Sequence, residues 1–126
     1  MINSVDRAVV ESYVAEMQAG PGGLEDLVGL FTDDAVYIEP WTGPTQVHTG
    51  KAEIRAFYAA ALEQMRGARL TIDRLDIDGD HLRSEWTCVV PAFSGPMRGF
   101  DLITLRNGRI ARLETNVTQM AAPPHV

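Results

Sequence analysis

Three residues with proton-handling side chains stand where their neighbours are apolar: Tyr13, Glu39 and Asp101. A phenol can donate a hydrogen bond, a carboxylate can accept a proton, and a neutral carboxylic acid can donate one. Tyr13 shares a four-residue rhythm with Val5, Val9 and Met17; its bland reading is a core tyrosine whose hydroxyl reaches the surface. Glu39 precedes Pro40, which forces it into extended backbone; as a carboxylate in a solvated loop it would be ordinary. Asp101 interrupts Phe100-Asp101-Leu102-Ile103, and alternate residues on its own face include Met97, Ile103 and Leu105. Aspartate is disfavoured in strands and is rarely buried without a partner. It lies either at an edge, facing solvent or Arg98 or Arg112, or in the interior, where desolvation raises its pKa and keeps it protonated.

Other chemistries are poorly supplied. His48, His81 and His125 have no metal-ligand spacing and read as surface or loop residues, so no metal is expected. Cys88 is the single cysteine, which excludes an intramolecular disulfide and a cysteine-based zinc site and fits a cytoplasmic protein. No glycine-rich nucleotide loop and no nucleophile elbow is present. A net charge of −6 without a basic run argues against nucleic acid. No apolar stretch approaches the ~20 residues that span a bilayer, and Met1-Ile2-Asn3-Ser4 does not open a signal peptide.

The elements that must position these residues follow from period and punctuation. The 126 residues fit one domain, residues 1–126. Ser4 can cap a first helix whose face, Val5, Val9, Tyr13 and Met17, is widened by Ala8, Val10 and Val14; Gly20-Pro21-Gly22-Gly23 ends it. A short second helix carries Leu24, Leu27, Val28 and Phe31 on one side and breaks at Asp33-Asp34. Ala35 to Ile38 reads as a strand, and residues 40–50 as a loop. A third helix over Lys51 to Met65 places Ile54, Phe57, Tyr58, Ala61, Leu62 and Met65 on one face.

From Ala68 the period becomes two. Leu70 and Ile72 alternate and then Leu75 and Ile77 resume out of phase, which predicts a bulge near Asp73-Arg74. Asp78-Gly79 predicts a hairpin turn, His81 to Pro91 alternates with Leu82, Ser84, Trp86, Cys88 and Val90 on one face, and Asn107-Gly108 joins two further strands. The tail Ala121 to Val126 is expected to be loose. Helices followed by antiparallel strands make an α+β plan, in which a helix laid across a bent sheet leaves a cavity.

The register at Asn107-Gly108 decides where Asp101 points. A plain two-residue turn pairs Arg106 with Arg109 and sets Asp101 opposite Glu114, two carboxylates in apposition. A turn with a glycine bulge pairs Leu105 with Arg109, sets Asp101 opposite Leu113, and groups Met97, Gly99, Asp101, Ile103 and Leu105 with Ala111, Leu113, Thr115 and Val117. The bulge is preferred, although the plain turn also forms a mostly apolar face from Phe100, Leu102, Ala111 and Leu113.

Several of these segments resemble the bacterial ketosteroid isomerases of the NTF2-like, or SnoaL-like, superfamily. They are Tyr13-Val14-Ala15, Leu30-Phe31-Thr32-Asp33-Asp34-Ala35, Glu39-Pro40, and Gly50 through Tyr58. The resemblance implies a cone of three N-terminal helices on a strongly curved antiparallel sheet, enclosing an apolar pocket. It implies Tyr13 and a protonated Asp101 as an oxyanion hole, Glu39 as general base where the family usually has aspartate, and Tyr58 as the hydroxyl supporting Tyr13. Trp41, Phe57, Trp86, Met97, Ile103 and Leu113 would wall in a flat hydrophobic, steroid-like substrate.

The implied reaction is a steroid delta-isomerisation. A 5-ene double bond of a 3-ketosteroid moves into conjugation through a dienolate, with no cofactor, in a homodimer. The other readings are a polyketide cyclase, an epoxide hydrolase needing an Asp-Arg-Asp set with Arg98 or Arg112, and a non-catalytic pocket for a hydrophobic ligand.

Overall fold

The structure, a computed structural model, describes residues 4–41 and 43–120, without the side chains of Ser4 and Val5. The cap expected from Ser4, the place of Val5 in its stripe, the tail Ala121–Val126 and His125 therefore lie outside the described residues.

Helix α1 (Ser4–Ala19) runs into a 3₁₀ turn at Gly20–Gly23, where Pro21 occupies the first turn. Six residues of α2 (Leu24–Gly29) follow, then β1 (Phe31–Glu39), β2 (Gln46–Thr49), α3 (Lys51–Gln64) and four long strands, β3 (Arg69–Asp78), β4 (His81–Val89), β5 (Met97–Arg106) and β6 (Arg109–Gln119). One sheet holds all six strands in the order β2-β1-β6-β5-β4-β3. Helix α3 packs across β1 and β2, and α1 packs against β3. This is the expected α+β plan, although α3 follows the first two strands.

The apolar stripes do what their spacing dictates. Val9, Val10, Tyr13 and Met17 of α1 are buried, as are Ile54, Tyr58 and Leu62 of α3, and with Leu27, Phe31 and Ile110 they belong to one core. Ala8, expected to widen the α1 face, is exposed. Along β4, Leu82, Ser84, Trp86 and Cys88 all point inward. A second cluster of Ala68, Trp86, Cys88, Val90 and Met97 closes the other end of the sheet.

The sheet departs from expectation in four places. Residues 40–50 are not all loop: Gln46–Thr49 pairs antiparallel with Val36–Glu39. Short, exposed and edge-placed, β2 has no buried face to print a period on the sequence. Strand β1 begins at Phe31, four residues before the expected start. Asp33 and Asp34 do not break the chain; they occupy a register irregularity, both exposed, with Asp33 near Lys51 and Asp34 bonded to Arg106. The sheet is mixed, because β1 runs parallel to β6. The β3–β4 turn is Gly79-Asp80, since Asp78 already pairs with His81. The bulge at Asp73 is where the change of phase placed it, between the Ile72–Trp86 and Arg74–Glu85 pairs.

The decisive hairpin adopts the plain turn. Arg106 pairs with Arg109, and Asn107 and Gly108 both take positive φ, 54° and 76°, which suits Asn-Gly. The irregularity comes three residues later: Leu105 pairs with Ile110 but Thr104 with Arg112, so Ala111 is the extra residue. Asp101 thus lies opposite Thr115, neither Glu114 nor Leu113. Met97, Gly99, Asp101, Ile103 and Leu105 still face inward, meeting Ile110, Leu113 and Thr115.

Candidate functional site

A cavity of about 270 Å³ opens between α1, α3 and the curved sheet. That is near the lower end of the ~300–1,000 Å³ usual for small-molecule sites. Its wall is apolar and aromatic, with Trp41, Phe57, Trp86, Phe93 and Met97 among its residues. Of the described residues lining it, Asp101 is the one carboxyl, and none is Lys, Arg or His.

The hydroxyls arrive from three elements. Helical spacing turns Tyr13 of α1 and Tyr58 of α3 toward each other, and their oxygens lie 2.6 Å apart. Tyr37 of β1 stacks on Tyr58, with ring centroids 5.2 Å apart, and its hydroxyl meets Thr115 Oγ1 at 3.1 Å. Trp41 Nε1 donates to the Tyr37 oxygen over 3.1 Å. All three phenols are buried, and burial raises each pKa, so they stay protonated through the neutral range.

Asp101 is 6% exposed and receives the Trp86 Nε1 proton on Oδ1 over 3.1 Å. Burial pushes its pKa up from 3.8 to about 7, while the hydrogen bonds from Trp86 and Thr115 pull in the opposite direction. Desolvation wins, as expected for a carboxyl set among apolar side chains. Cys88, on the same wall, has its thiol pushed up to about 11 by burial.

Glu39 is placed differently. It is 1% exposed, yet it is not among the residues lining the cavity. Its Oε1 accepts the Trp41 backbone N–H at 2.7 Å, and its Oε2 lies 2.9 Å from His48 Nε2. The proline at residue 40 turns the chain just after the strand, which brings the Trp41 amide back onto the carboxylate. His48 is thus a strand residue bonded to a buried acid, packed over Tyr37 and Phe57, where a surface or loop histidine was expected. His81 is exposed.

Among the expected substrate-contacting residues, Trp41, Phe57, Trp86 and Met97 line the cavity. Ile103 and Leu113 do not. They share Asp101's face but are paired nearer the hairpin turn, and they belong to the core with Leu27, Phe31 and Leu62. Tyr37 and Thr115 were not singled out from the sequence as site residues. Tyr37 was accessible by simple alternation: if Glu39 points inward, so does the residue two before it.

A model of the SnoaL-like domain matches residues 10–113. No curated protein sequence matches the chain significantly. Solved structures share its fold. An NTF-2-like protein of unknown function from Burkholderia xenovorans superposes with a TM-score of 0.72 at 15% identity, covering 98% of this chain and 87% of that one. A protein provisionally named a ketosteroid isomerase, from Kribbella flavida, gives 0.70 at 20% identity, covering 98% and 84%. One provisionally named a polyketide cyclase, from Sinorhizobium meliloti, gives 0.73 at 22%, covering 86% and 94%. At these identities the likeness establishes the α+β fold of the NTF2-like proteins, with helices packed on a six-stranded curved sheet.

Proposed function

The chain belongs to the SnoaL-like domain family, and from that footing we propose that its cavity isomerises a flat, apolar, β,γ-unsaturated ketone through a dienolate, with a 5-ene-3-ketosteroid as the model substrate. The observation that carries this reading is the state of Asp101: a carboxyl buried in an apolar cavity, with its pKa near 7, beside the wall that also holds Tyr13. Neutral Asp101 and Tyr13 would donate hydrogen bonds to the oxygen on which charge develops. Tyr58 supports Tyr13: if Tyr58 donates within their 2.6 Å contact, the Tyr13 proton is left for the substrate. Donors fixed in a dry site act on developing charge without reorganising, and losing one typically costs ~10²–10³ in rate.

Glu39 is the base in this reading. It would take a proton from the carbon between the carbonyl and the double bond and return it two carbons away, so no cofactor is consumed. Its oxygens accept from the Trp41 amide and face His48, and it stands outside the cavity lining, so proton transfer requires the glutamate arm to swing toward the cavity. The extra methylene relative to aspartate supplies that reach.

The arginine-dependent hydrolase reading finds less support. Arg98 and Arg112 are exposed, on the opposite face of the sheet from Asp101, and Arg112 is bonded to Glu114. The test is absorbance of the conjugated enone after addition of a 5-ene-3-ketosteroid. Turnover is expected; tight binding of the steroid without turnover would leave a binding protein in place of an enzyme.

A further inference from the structure

We propose that Trp86 is a positioning residue for Asp101: its indole N–H holds Oδ1 as the carbonyl oxygen and assigns the acid's proton to Oδ2. This deepens the proposed function, in which Asp101 acts as a neutral donor. An indole nitrogen donates and cannot accept, so the contact at 3.1 Å has only one direction. A neutral carboxyl has one oxygen that mainly accepts and one that carries hydrogen. The indole on Oδ1 can only donate, whereas the Thr115 hydroxyl that also bonds the carboxyl can rotate to donate or accept, so the indole selects between the oxygens.

The surroundings of that contact are built to hold it. Gly99 pairs with Trp86 across β4 and β5, and a Cβ at residue 99 would come within 2.7 Å of the Trp86 ring. Trp41 packs against the indole, with centroids 6.0 Å apart. Trp41 is itself a one-way donor, to Tyr37, whose hydroxyl meets Thr115 directly opposite Asp101. The two tryptophans of the chain thus both donate into the polar cluster, Trp41 to Tyr37 and Trp86 to Asp101.

Tyr13 of α1, Tyr58 of α3, Tyr37 of β1 and Cys88 of β4 are the other titratable groups of the cavity wall, and burial raises the pKa of each. None competes with Asp101 for a transition near neutrality.

Two measurements test the assignment without relying on catalysis. In uniformly labelled, unsubstituted protein, the two indole N–H resonances are followed from pH 5 to 9. The Trp86 signal should move downfield with a midpoint near that of the Asp101 carboxyl, because its bond strengthens when the acceptor ionises, while Trp41 moves less. In Trp86→Phe, which keeps an aromatic wall and deletes the donor, the Asp101 carboxyl midpoint should rise by about one pH unit, the worth of a hydrogen bond to a charged group.

A Trp86 signal indifferent to Asp101, or a midpoint that stays or falls in Trp86→Phe, overturns the proposal. A fall would mean that water entering beside the ring outweighs the lost bond. If both shifts appear and no steroid is turned over, the positioning stands and the isomerase reading fails. Turnover without either shift gives the reverse.

Discussion

Asp101 makes the stability of this protein depend on pH in the direction opposite to most acidic residues. Its folded-state pKa, about 7, lies above the ordinary 3.8, so between those values the folded chain keeps a proton that the unfolded chain releases. Stability therefore declines as pH rises through that window, and above it the buried charge costs roughly 4 kcal/mol relative to acid conditions. Asp101→Asn keeps an oxygen for Trp86 and removes the titration. Urea unfolding at pH 5 and pH 8 should show the variant gaining most at pH 8 and losing the slope between them. Kinetics separate the other roles. Tyr13→Phe is expected to lower kcat for the ketosteroid by ~10²–10³. Glu39→Gln should lower it further while leaving binding of the conjugated product intact, because the amide cannot accept the proton. Comparable activity in both variants and the parent would remove Tyr13 and Glu39 from the mechanism.

At the scale of elements, the hairpin of β5 and β6 shows what a sequence does and does not display. The inward face, Met97 to Leu105 by twos with its one carboxyl inside, was legible as the preferred of two faces, although the bulged register on which that preference rested does not form. The pairing was not. Asn107-Gly108 reads correctly as a tight turn, but the offset that brings Thr115 opposite Asp101 comes from Ala111, a small residue with no turn chemistry of its own. In the same way β2 was hidden by its exposure, and the withdrawal of Glu39 from the cavity wall was hidden because it depends on His48 from that unseen strand. Tyr13 and Tyr58 were easier, since each falls on a helical stripe whose period fixes its direction. Gly99 is the element-level weak point. A side chain there meets the Asn116 carbonyl and the Trp86 ring, so Gly99→Ala should lower unfolding free energy by about 3 kcal/mol and alter tryptophan emission. Denaturant midpoints unchanged from the parent would mean that β5 can move aside from β6 without penalty.

Considered as a whole, the molecule has one outer sheet face with unspent apolar surface. Leu102 and Val89 are 36% and 47% exposed there, and Phe100 carries the Arg83 guanidinium 3.8 Å from its ring centre. We propose that this face joins two copies of the chain. Sedimentation should give twice the mass of the 126-residue chain, and Leu102→Glu should halve it, since two carboxylates would be brought together at the symmetric contact. A parent protein that sediments as a single chain at all concentrations would end this proposal. Among the described residues, no helix is long and apolar enough to cross a membrane.

The parallel pairing of β1 with β6 also sets the order in which the protein can come into being. Tyr37 and Thr115, 78 positions apart, share a hydrogen bond, and β1, paired on one flank with β2, finds its second sheet partner in β6. Contacts of such separation are slow to form, because a long loop must close before they return any energy. Without β6, β1 and its edge partner β2 have one flank unpaired. The β3–β4–β5 meander can assemble from neighbours in the meantime. Strand β6 lies between the two halves, and its Thr115 links the phenol of Tyr37 to the strand position opposite Asp101. The cavity thus depends on β6: the chain through β5 has most of the lining residues, but the strand that joins their two halves is still missing.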